Sequence, residues 1–367
     1  MKEIEKIIEH YNKATLNGEK LALGTVVKVE GSAYRRIGAR LLVSETGQWT
    51  GGISGGCLEG DALKRAKMAI LRDKSSIVIY DTTEDDEHQI GVGLGCNGRI
   101  EVLFTPIKTD NRDNQIEFLK QITNKRQPSI LLQVLSVNNA DDNLCGQFFT
   151  TNNLEHLAKK TLLPLNAVQD GSATVFHKRK SNIFTLKNDK NESFEVLFEH
   201  IRPKIKLVCI GDNYDVNAMV NVGNELGWAV HVVGKTRKVG KSLLQKIDSF
   251  TDFAKANTIQ TDEYTAIVLM SHDYKTDLDL LKKFIHFDVP YIGLLGPKKR
   301  MLKMNQAMNT DNSGVDLVQQ NHLYSPIGLD IGAETPEEIA LAIAAEIVAV
   351  FRERKAGFLR NRIGSIH

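Results

Sequence analysis

The second half of the chain, where short apolar runs alternate with helical stretches, places the strongest constraint on the fold. Residues 205–210, 229–233 and 266–270 are continuous apolar runs of strand length, and residues 216–226 between the first two have helical spacing. Strands with continuous apolar sequence are buried on both faces, and strands that alternate with helices form parallel sheets. Residues 201–367 are therefore predicted to form a Rossmann-like, doubly wound parallel-sheet domain of the α/β class.

The same half of the chain contains a long apolar segment, residues 336–354, with helical length. Thr335 can cap its amino terminus, and Pro336 is well suited to a first helical turn, where its missing N–H leaves no bond unmade. We predict a helix here that closes the second domain.

The first 200 residues have a different pattern, in which strand and helix periodicities both occur. Strand-like runs lie at residues 21–29, 41–43, 49–53, 76–80 and 99–104, and helical spacing is found at residues 3–12 and 58–72. From residue 106 to 198, short β-type runs alternate with polar turns: ILLQVLSV, GQFFTT, SATVFHK, NIFTLK and SFEVLF. Residues 1–200 are therefore predicted to form a mixed α+β domain with an antiparallel β extension.

The composition excludes several classes of protein. With 47 Lys plus Arg against 45 Asp plus Glu, the formal net charge is +2, so no global field attracts nucleic acid. The first 20 residues contain no apolar signal region, and the longest strongly apolar stretch, residues 339–351, is too short to span a bilayer. The four cysteines form no CxxC pair, which argues against a zinc ribbon. We therefore expect a cytoplasmic protein without a membrane span or a metal centre of its own.

A glycine turn between a predicted strand and a predicted helix, SGGCLE at residues 54–59, is the sharpest local signal. Its glycines let the backbone approach a ligand, and the following helix directs unpaired amides and the positive end of its dipole outward. Such a turn can bind an anion, and a cysteine there can act as a soft ligand or a nucleophile. A tight turn around a small buried cysteine explains the same pattern, so both interpretations are open. The candidate binding residues are Ser54, Gly55, Gly56, Cys57 and Glu59.

Two further elements of the first domain can converge on that turn. Cys96 lies in the loop GVGLGCNG, residues 91–98, whose backbone must be approached closely or bend sharply. Arg35, Arg36 and Arg40 surround one glycine, and their fork-shaped groups suit phosphate. A plain glycine-rich hairpin and a solvated basic turn are the alternatives, and only convergence on one place favours a binding site.

The first turn of the second domain carries only part of a dinucleotide-binding motif. Gly211 occupies the first glycine position of G-x-G-x-x-G, whereas Asn213 and Val216 stand at the second and third. Asp212 and Asp215 also bring negative charge toward any pyrophosphate bound there. The sequence therefore argues against NAD(P) binding.

Two later turns of the second domain carry further candidate binding residues. His272 follows a predicted strand at the carboxyl end, where open sheets bind ligands. It can move a proton, or it can cap a helix beside Asp273, which is the role we favour. Lys298 and Arg300 lie in a turn that leads into a helix, which makes them candidates for binding an anion.

These stretches together resemble the XdhC/CoxI family, the accessory factors of xanthine dehydrogenase and related molybdenum hydroxylases. The resemblance rests on blocks that follow the family's order across both domains: GSAYRRIGARLLV, GGISGGCLEGDAL, GVGLGCNGRIEVLFTP, VLMSHDYKTDLDLL, YIGLLGPKKRM and PIGLDIGAETPEEIALAIAAEIVA. Residues 107–198 contribute little to it.

The resemblance implies a cytoplasmic factor with no turnover of its own. Such a factor binds molybdenum cofactor as cargo, supports its sulfuration by a cysteine desulfurase and delivers it to an apo xanthine dehydrogenase or a related hydroxylase. Molybdopterin carries a phosphate, which suits the three arginines and the amides of Gly55 and Gly56, and a sulfur-rich metal centre, beside which Cys57 can sit. A homodimer is expected.

Two other functions compete with this one. The first is an NAD(P)-dependent oxidoreductase that uses residues 204–330, and the incomplete glycine motif counts against it. The second is an interaction protein whose ancestral sites no longer bind a ligand.

Overall fold

The computed structural model describes residues 1–31, 33–81, 98–138, 142–310 and 315–363. The chain divides into two compact units, Met1–Pro203 and Lys204–His367. Cys96 and residues 91–97 of its glycine-rich loop lie outside the described residues.

The first unit combines helices with antiparallel strands. Its helices are α1 (Lys2–Leu16), α2 (Glu59–Arg72), α3 (Gln115–Thr123), α4 (Leu154–Thr161) and α5 (Leu165–Lys178). Its strands are β1 (Leu21–Gly31), β2 (Arg40–Ser44), β3 (Trp49–Gly51), β4 (Ser76–Asp81), β5 (Gly98–Ile107), β6 (Ser129–Asn138), β7 (Phe148–Thr150), β8 (Asn182–Lys187) and β9 (Ser193–Ile201).

The first sheet has the strand order β3-β2-β1-β5-β4, with antiparallel pairing throughout. Successive residues of β1 point to opposite faces, so Leu21 and Leu23 pack with α1 and α3, while Ala22 and Val26 pack with α2. Helix α2 meets the sheet through alanines at helical spacing: Ala62, Ala66 and Ala69. These small side chains let the helix and the sheet approach closely, which fixes the glycine turn at the start of α2.

The second sheet of this unit, β7-β6-β9-β8, is also antiparallel and is covered by α4 and α5. The prediction that SATVFHK is a strand was wrong, because these residues form the second half of α5. Val168, Ser172 and Val175 are buried at helical spacing, and a Cβ on Gly171 would lie 3.0 Å from the Phe198 ring. The β-branched residues of SATVFHK favour a strand, but the helical spacing of its buried residues and their close packing against the sheet favour the helix that forms.

The second unit contains one parallel sheet. Its strands are β10 (Lys206–Ile210), β11 (Ala229–Gly234), β12 (Ser249–Asp252), β13 (Thr265–Leu269), β14 (Tyr291–Leu294) and β15 (Leu323–Tyr324). Its helices are α6 (Tyr214–Glu225), α7 (Lys241–Leu244), α8 (Tyr274–Phe284), α9 (Lys298–Thr310) and α10 (Pro336–Phe351).

The strand order of this sheet is β12-β11-β10-β13-β14-β15. Strands β11 and β12 are added on one side of β10 and strands β13 to β15 on the other, so the strand order reverses between β10 and β13. Helices α6 and α10 cover one face, and α8 and α9 cover the other. The predicted Rossmann-like, doubly wound architecture is confirmed. Helix α10 begins with a capping box, in which the Thr335 hydroxyl accepts from the Glu338 N–H and the Glu338 carboxylate accepts from the Thr335 N–H.

None of the helices among the described residues combines the length and the apolar character that a membrane crossing requires.

Candidate functional site

The glycine turn joins β3 to α2, and Glu59 holds it together. The buried Glu59 carboxylate accepts from the N–H groups of Ile53, at 3.2 Å, and Ser54, at 2.9 Å, and also from the Ser54 hydroxyl. Burial acts to raise the pKa of Glu59, but the hydrogen bonds from Ser54 and Ile53 outweigh it and hold that pKa below its usual value. A carboxylate of the chain itself therefore occupies the amides that a bound anion would otherwise use.

The other amides of the turn are divided between the protein and the solvent. The Ser54 hydroxyl accepts from the N–H groups of Gly56, at 3.2 Å, and Leu58, at 3.1 Å. The N–H groups of Gly55 and Cys57 have no acceptor among the described residues. The sequence assigned the phosphate to Gly55 and Gly56, whereas the structure leaves the amides of Gly55 and Cys57 available.

The three predicted arginines have different environments. Arg35 donates from Nε to the Gly52 carbonyl at 3.1 Å and forms an ion pair with Glu3. The side chain of Arg36 makes no hydrogen bond or ion pair with described residues, and its Nε is buried. Arg36 is therefore the candidate with the most unused donors.

The prediction that Arg40 binds a phosphate is corrected by the surroundings of its side chain. Its side chain is buried, where it pairs with Glu199 and donates to the Gly38 carbonyl at 2.7 Å. A buried guanidinium left without its carboxylate would be strongly destabilising, so the pair is a structural element of the unit. Arg40 is therefore not available to bind a phosphate.

An open cleft of about 700 Å³ lies beside the glycine turn. It is lined by Lys2, Glu3, Lys6, Arg35, Trp49, Gly51, Gly52, Ser54, Gly56 and Glu59. Three cations against two carboxylates give this lining a formal charge of +1, and Lys6 has no ion pair within the described part of the chain. The structure thus brings four predicted residues together (Arg35, Ser54, Gly56 and Glu59), and the exposed Cys57 follows Gly56 directly in the chain.

Sequence reasoning missed the cleft residues that α1 and β3 supply. Lys2 and Lys6 lie four residues apart, hence on one face of α1, and Trp49, the first residue of β3, is 49% exposed. A half-exposed tryptophan gives a flat apolar surface on which a planar ring can stack. The signal was present in the sequence as a tryptophan five residues before the SGGC motif.

Accessibility predicts a clear order of reactivity for the three described thiols. Cys57 is exposed, Cys145 is half-buried, and Cys209 is fully buried in a way that raises its pKa well above the usual value. Alkylation requires a thiol that the reagent can reach and that can ionise to the thiolate. We therefore expect iodoacetamide to alkylate Cys57 first, Cys145 more slowly and Cys209 only after unfolding. Peptide mapping by mass spectrometry over time measures this order. Labelling of Cys145 ahead of Cys57 in the native protein would contradict the exposed position of the turn.

In the second unit, Gly211 and His272 lie where the strand order reverses. A Cβ on Gly211 would lie 2.8 Å from the Met270 carbonyl oxygen, so the close approach of these two loops requires glycine. The His272 Nε2 atom lies 2.6 Å from an oxygen of Asp215, and His272 has a positive φ of 61°. The helix cap is Asp273, whose carboxylate accepts from the Thr276 N–H at 2.7 Å. His272 is therefore paired with a carboxylate, and the capping role that we favoured for it is filled by Asp273.

The other two candidates of this unit lie at the start of α9. Lys298 is exposed at its first residue, and Arg300 donates to the buried Asp277 at 2.6 Å. Burial raises the pKa of Asp277, although its hydrogen bond from Ser271 and the charge of Arg300 act in the opposite direction. Arg300 thus links α9 to α8, and the Lys298 side chain faces solvent.

No group of three or more His, Cys, Asp or Glu side chains among the described residues is arranged to hold a metal ion.

We expect NAD and NADP to bind the second unit weakly or not at all. Asn213 caps α6: its side chain accepts from the Val216 N–H and donates to the Met270 carbonyl at 2.5 Å. A pyrophosphate would have to displace this cap, and Asp212 and Asp215 would repel it. Calorimetric titration with both nucleotides measures the affinity, with a dinucleotide-binding dehydrogenase as the positive control. Micromolar affinity for either nucleotide would overturn the prediction and favour the oxidoreductase hypothesis.

Comparison with family models gives two matches to this chain. Residues 14–81 match the XdhC and CoxI family, and residues 207–347 match the XdhC Rossmann domain. Together the two matches cover more than half of the chain and include both the glycine turn and the parallel sheet.

Individual proteins are similar over most of the chain. A probable xanthine dehydrogenase subunit of Bacillus subtilis is 28% identical over 334 residues, which are 90% of this chain and 93% of that protein. The molybdenum cofactor insertion chaperone PaoD of Escherichia coli is 22% identical over 342 residues, 92% of this chain and 86% of that protein. The crystal structure of a xanthine dehydrogenase from Bacillus halodurans has the same fold, with a TM-score of 0.69 and 24% identity over 95% of this chain and 96% of that one.

Proposed function

We propose, from the premise that the chain belongs to the XdhC and CoxI family, that it is an accessory factor of a molybdenum hydroxylase. In this proposal it binds molybdenum cofactor as cargo in the cytoplasm, supports the sulfuration of that cofactor by a cysteine desulfurase, and delivers it to an apo xanthine dehydrogenase or a related hydroxylase. It acts as a carrier without turnover of its own, and it works as a homodimer.

The names of its relatives support the general part of this proposal. One relative is named as a subunit of xanthine dehydrogenase, and another is named as a chaperone that inserts molybdenum cofactor. Both are similar over at least 90% of this chain, so the likeness extends through both units.

The cleft beside the glycine turn is the observation that carries the proposal. Lys6 and Arg35 line the cleft and supply positive charge for a phosphate, and Arg36 follows Arg35 in the chain. The N–H groups of Gly55 and Cys57, on either side of the lining residue Gly56, have no acceptor among the described residues. Trp49 offers a face for the flat pterin ring. The exposed Cys57 thiol lies next to these groups in the chain. There it can serve as a soft ligand to the sulfur-rich metal centre of the cofactor.

Analysis of gently purified protein tests this function directly. We expect molybdenum by elemental mass spectrometry and a pterin by fluorescence after oxidation, both released when the protein is denatured. A bound nicotinamide nucleotide without pterin would favour the oxidoreductase, and protein that binds neither, even after incubation with isolated cofactor, would favour an interaction protein.

Replacing Arg35 and Arg36 together by alanine should weaken cofactor binding. Each charge-assisted hydrogen bond that is lost costs about 1.5–3 kcal/mol of binding free energy. The thermal stability should fall only modestly, because Arg36 has no partner to lose among the described residues and Arg35 loses a partly exposed ion pair with Glu3 and one hydrogen bond to the Gly52 carbonyl. Titration of the cofactor, followed by pterin absorbance, gives the affinity.

Arg65→Ala is the matched control for these variants, since Arg65 is a surface arginine on α2 that pairs with Asp61. It should leave the cofactor affinity unchanged. Equal affinities in the wild type, the control and the double variant would remove Arg35 and Arg36 from the site.

A further inference from the structure

A second cavity, of about 360 Å³, lies in the first unit and shares no lining residue with the cleft beside the glycine turn. It opens where the end of β5 and the loop after it meet β7 and α4. This volume is in the range of small-molecule sites, which combine an apolar floor with a few polar groups. None of the groups assigned above to cofactor binding reaches into it.

Three aromatic side chains line the cavity: Phe118, Phe148 and Phe149, each at most 5% exposed. Phe148 and Phe149 are successive residues of the edge strand β7, so their rings lie on opposite faces of the sheet, and Phe148 packs with Phe118 in one core while Phe149 packs in another. The half-buried Cys145 also lines the cavity, with its thiol donating to the Leu135 carbonyl. The Phe149 ring, on the side of α4, favours a flat, unsaturated ligand body.

The rim of the cavity carries positive charge on one face of α4. His156 and Lys160 lie four residues apart, hence on one side of α4, and both line the cavity, as does Asn153 just before the helix. The Lys160 ammonium lies 5.7 Å from the Phe149 ring centre, and the ring of His156 lies 5.9 Å from it. The Lys160 ammonium and the His156 imidazole thus stand directly beside the Phe149 ring.

The charges around the cavity do not cancel. The lining contains three lysines against two aspartates, for a formal charge of +1, and Lys108 is paired with Asp73. The Lys160 ammonium has three hydrogens to donate but only one acceptor within the described residues, the Gln147 side chain at 3.1 Å. An anionic group at the rim would take up this unused capacity.

We propose that the cavity binds a small organic anion with a flat unsaturated body. The body packs beside the Phe149 ring, and a carboxylate or phosphate group accepts hydrogen bonds from Lys160 and His156. This site is independent of the cofactor function proposed above, because the two sets of residues do not overlap.

Benzoate and phenyl phosphate are suitable probes for this site, and neutral benzamide has the same ring without the charge. Calorimetry should detect binding of at least one of the two anions, and the stronger of the two identifies the anionic group that the site prefers. Benzamide should bind about tenfold more weakly or worse, since it lacks the charge-assisted hydrogen bonds. Occupancy should also slow the alkylation of Cys145, which lines the cavity, and leave that of Cys57 unchanged.

Lys160→Gln should reduce the affinity for the anion about tenfold or more, with little change in the thermal stability of the free protein, because the Lys160 bond to Gln147 is exposed to solvent. Lys159→Gln is the matched control, because Lys159 is an exposed neighbour on α4 that does not line the cavity. Absence of binding by both anions, equal binding of benzamide, or equal losses in the two lysine variants would each overturn the proposal.

Discussion

Replacement of Glu199 by alanine is expected to lower the free energy of unfolding of the first unit by about 3–5 kcal/mol, because it leaves a buried charge without a partner. The Arg40 side chain is 2% exposed, and both of its terminal nitrogens face the Glu199 carboxylate. The Glu199 carboxylate also lies close against Gly38, where an added Cβ would be 2.1 Å from a Glu199 oxygen. Urea denaturation at neutral pH measures the change.

Two variants separate this explanation from a general loss of packing. The double variant Arg40→Leu, Glu199→Leu should recover most of the lost stability, because no unpaired charge remains. Lys108→Ala breaks the exposed pair with Asp73 and should cost less than about 1 kcal/mol. A Glu199→Ala variant that is no less stable than the Lys108→Ala variant would contradict the structural role of the pair.

Replacement of Glu59 by glutamine is expected both to destabilise the glycine turn and to impair cofactor binding. An amide in place of the carboxylate has one acceptor oxygen and no charge, so the bonds from Ile53 and Ser54 lose their charge assistance. The loss should amount to about 1.5–3 kcal/mol of unfolding free energy, and the disordered turn should no longer present the amides of Gly55 and Cys57. Urea denaturation and cofactor titration measure the two effects.

The same variant should remove part of the pH dependence of stability. The pKa of Glu59 is lower in the folded protein than in the unfolded chain, so its contribution is present above the unfolded pKa and is lost as the pH falls through the folded value. The stability of the wild type should therefore decline more than that of Glu59→Gln as the pH falls from about 5 to about 3. Glu9→Gln, at an exposed carboxylate on α1, should behave like the wild type. Parallel pH profiles for all three proteins would show that Glu59 has no stabilising charge.

The elements that could be predicted from the sequence are those with strong local signals. The apolar strands β10, β11 and β13 and the capped helix α10 are specified by their own residues, because continuous burial and a Thr-Pro-x-Glu start leave few alternatives. The second half of α5 could not be predicted, since β-branched residues and a helical burial period gave opposite indications in SATVFHK and only packing against β9 decides between them.

The candidate site shows the same division. The glycine turn was recognisable from SGGC alone, and the structure places it at a cleft. The exclusion of Arg40 depends on Glu199, a residue 159 positions away that nothing near Arg40 indicates. The internal use of the turn's amides by Glu59 was equally hidden, because a glutamate in the first turn of a helix is most simply explained by the helix dipole.

The long separation between Arg40 and Glu199 also has a consequence for protein synthesis. Strands β2 and β9, which carry the two residues, lie near opposite ends of the first unit in sequence, so their pairing cannot begin until almost all of that unit has emerged from the ribosome. Until then the Arg40 guanidinium must stay hydrated, which prevents β2 from taking its final buried position on the nascent chain. Contacts at such separations are slow to form because a large loop must be closed first. Translation therefore reaches the second unit before the core around the ion pair can close.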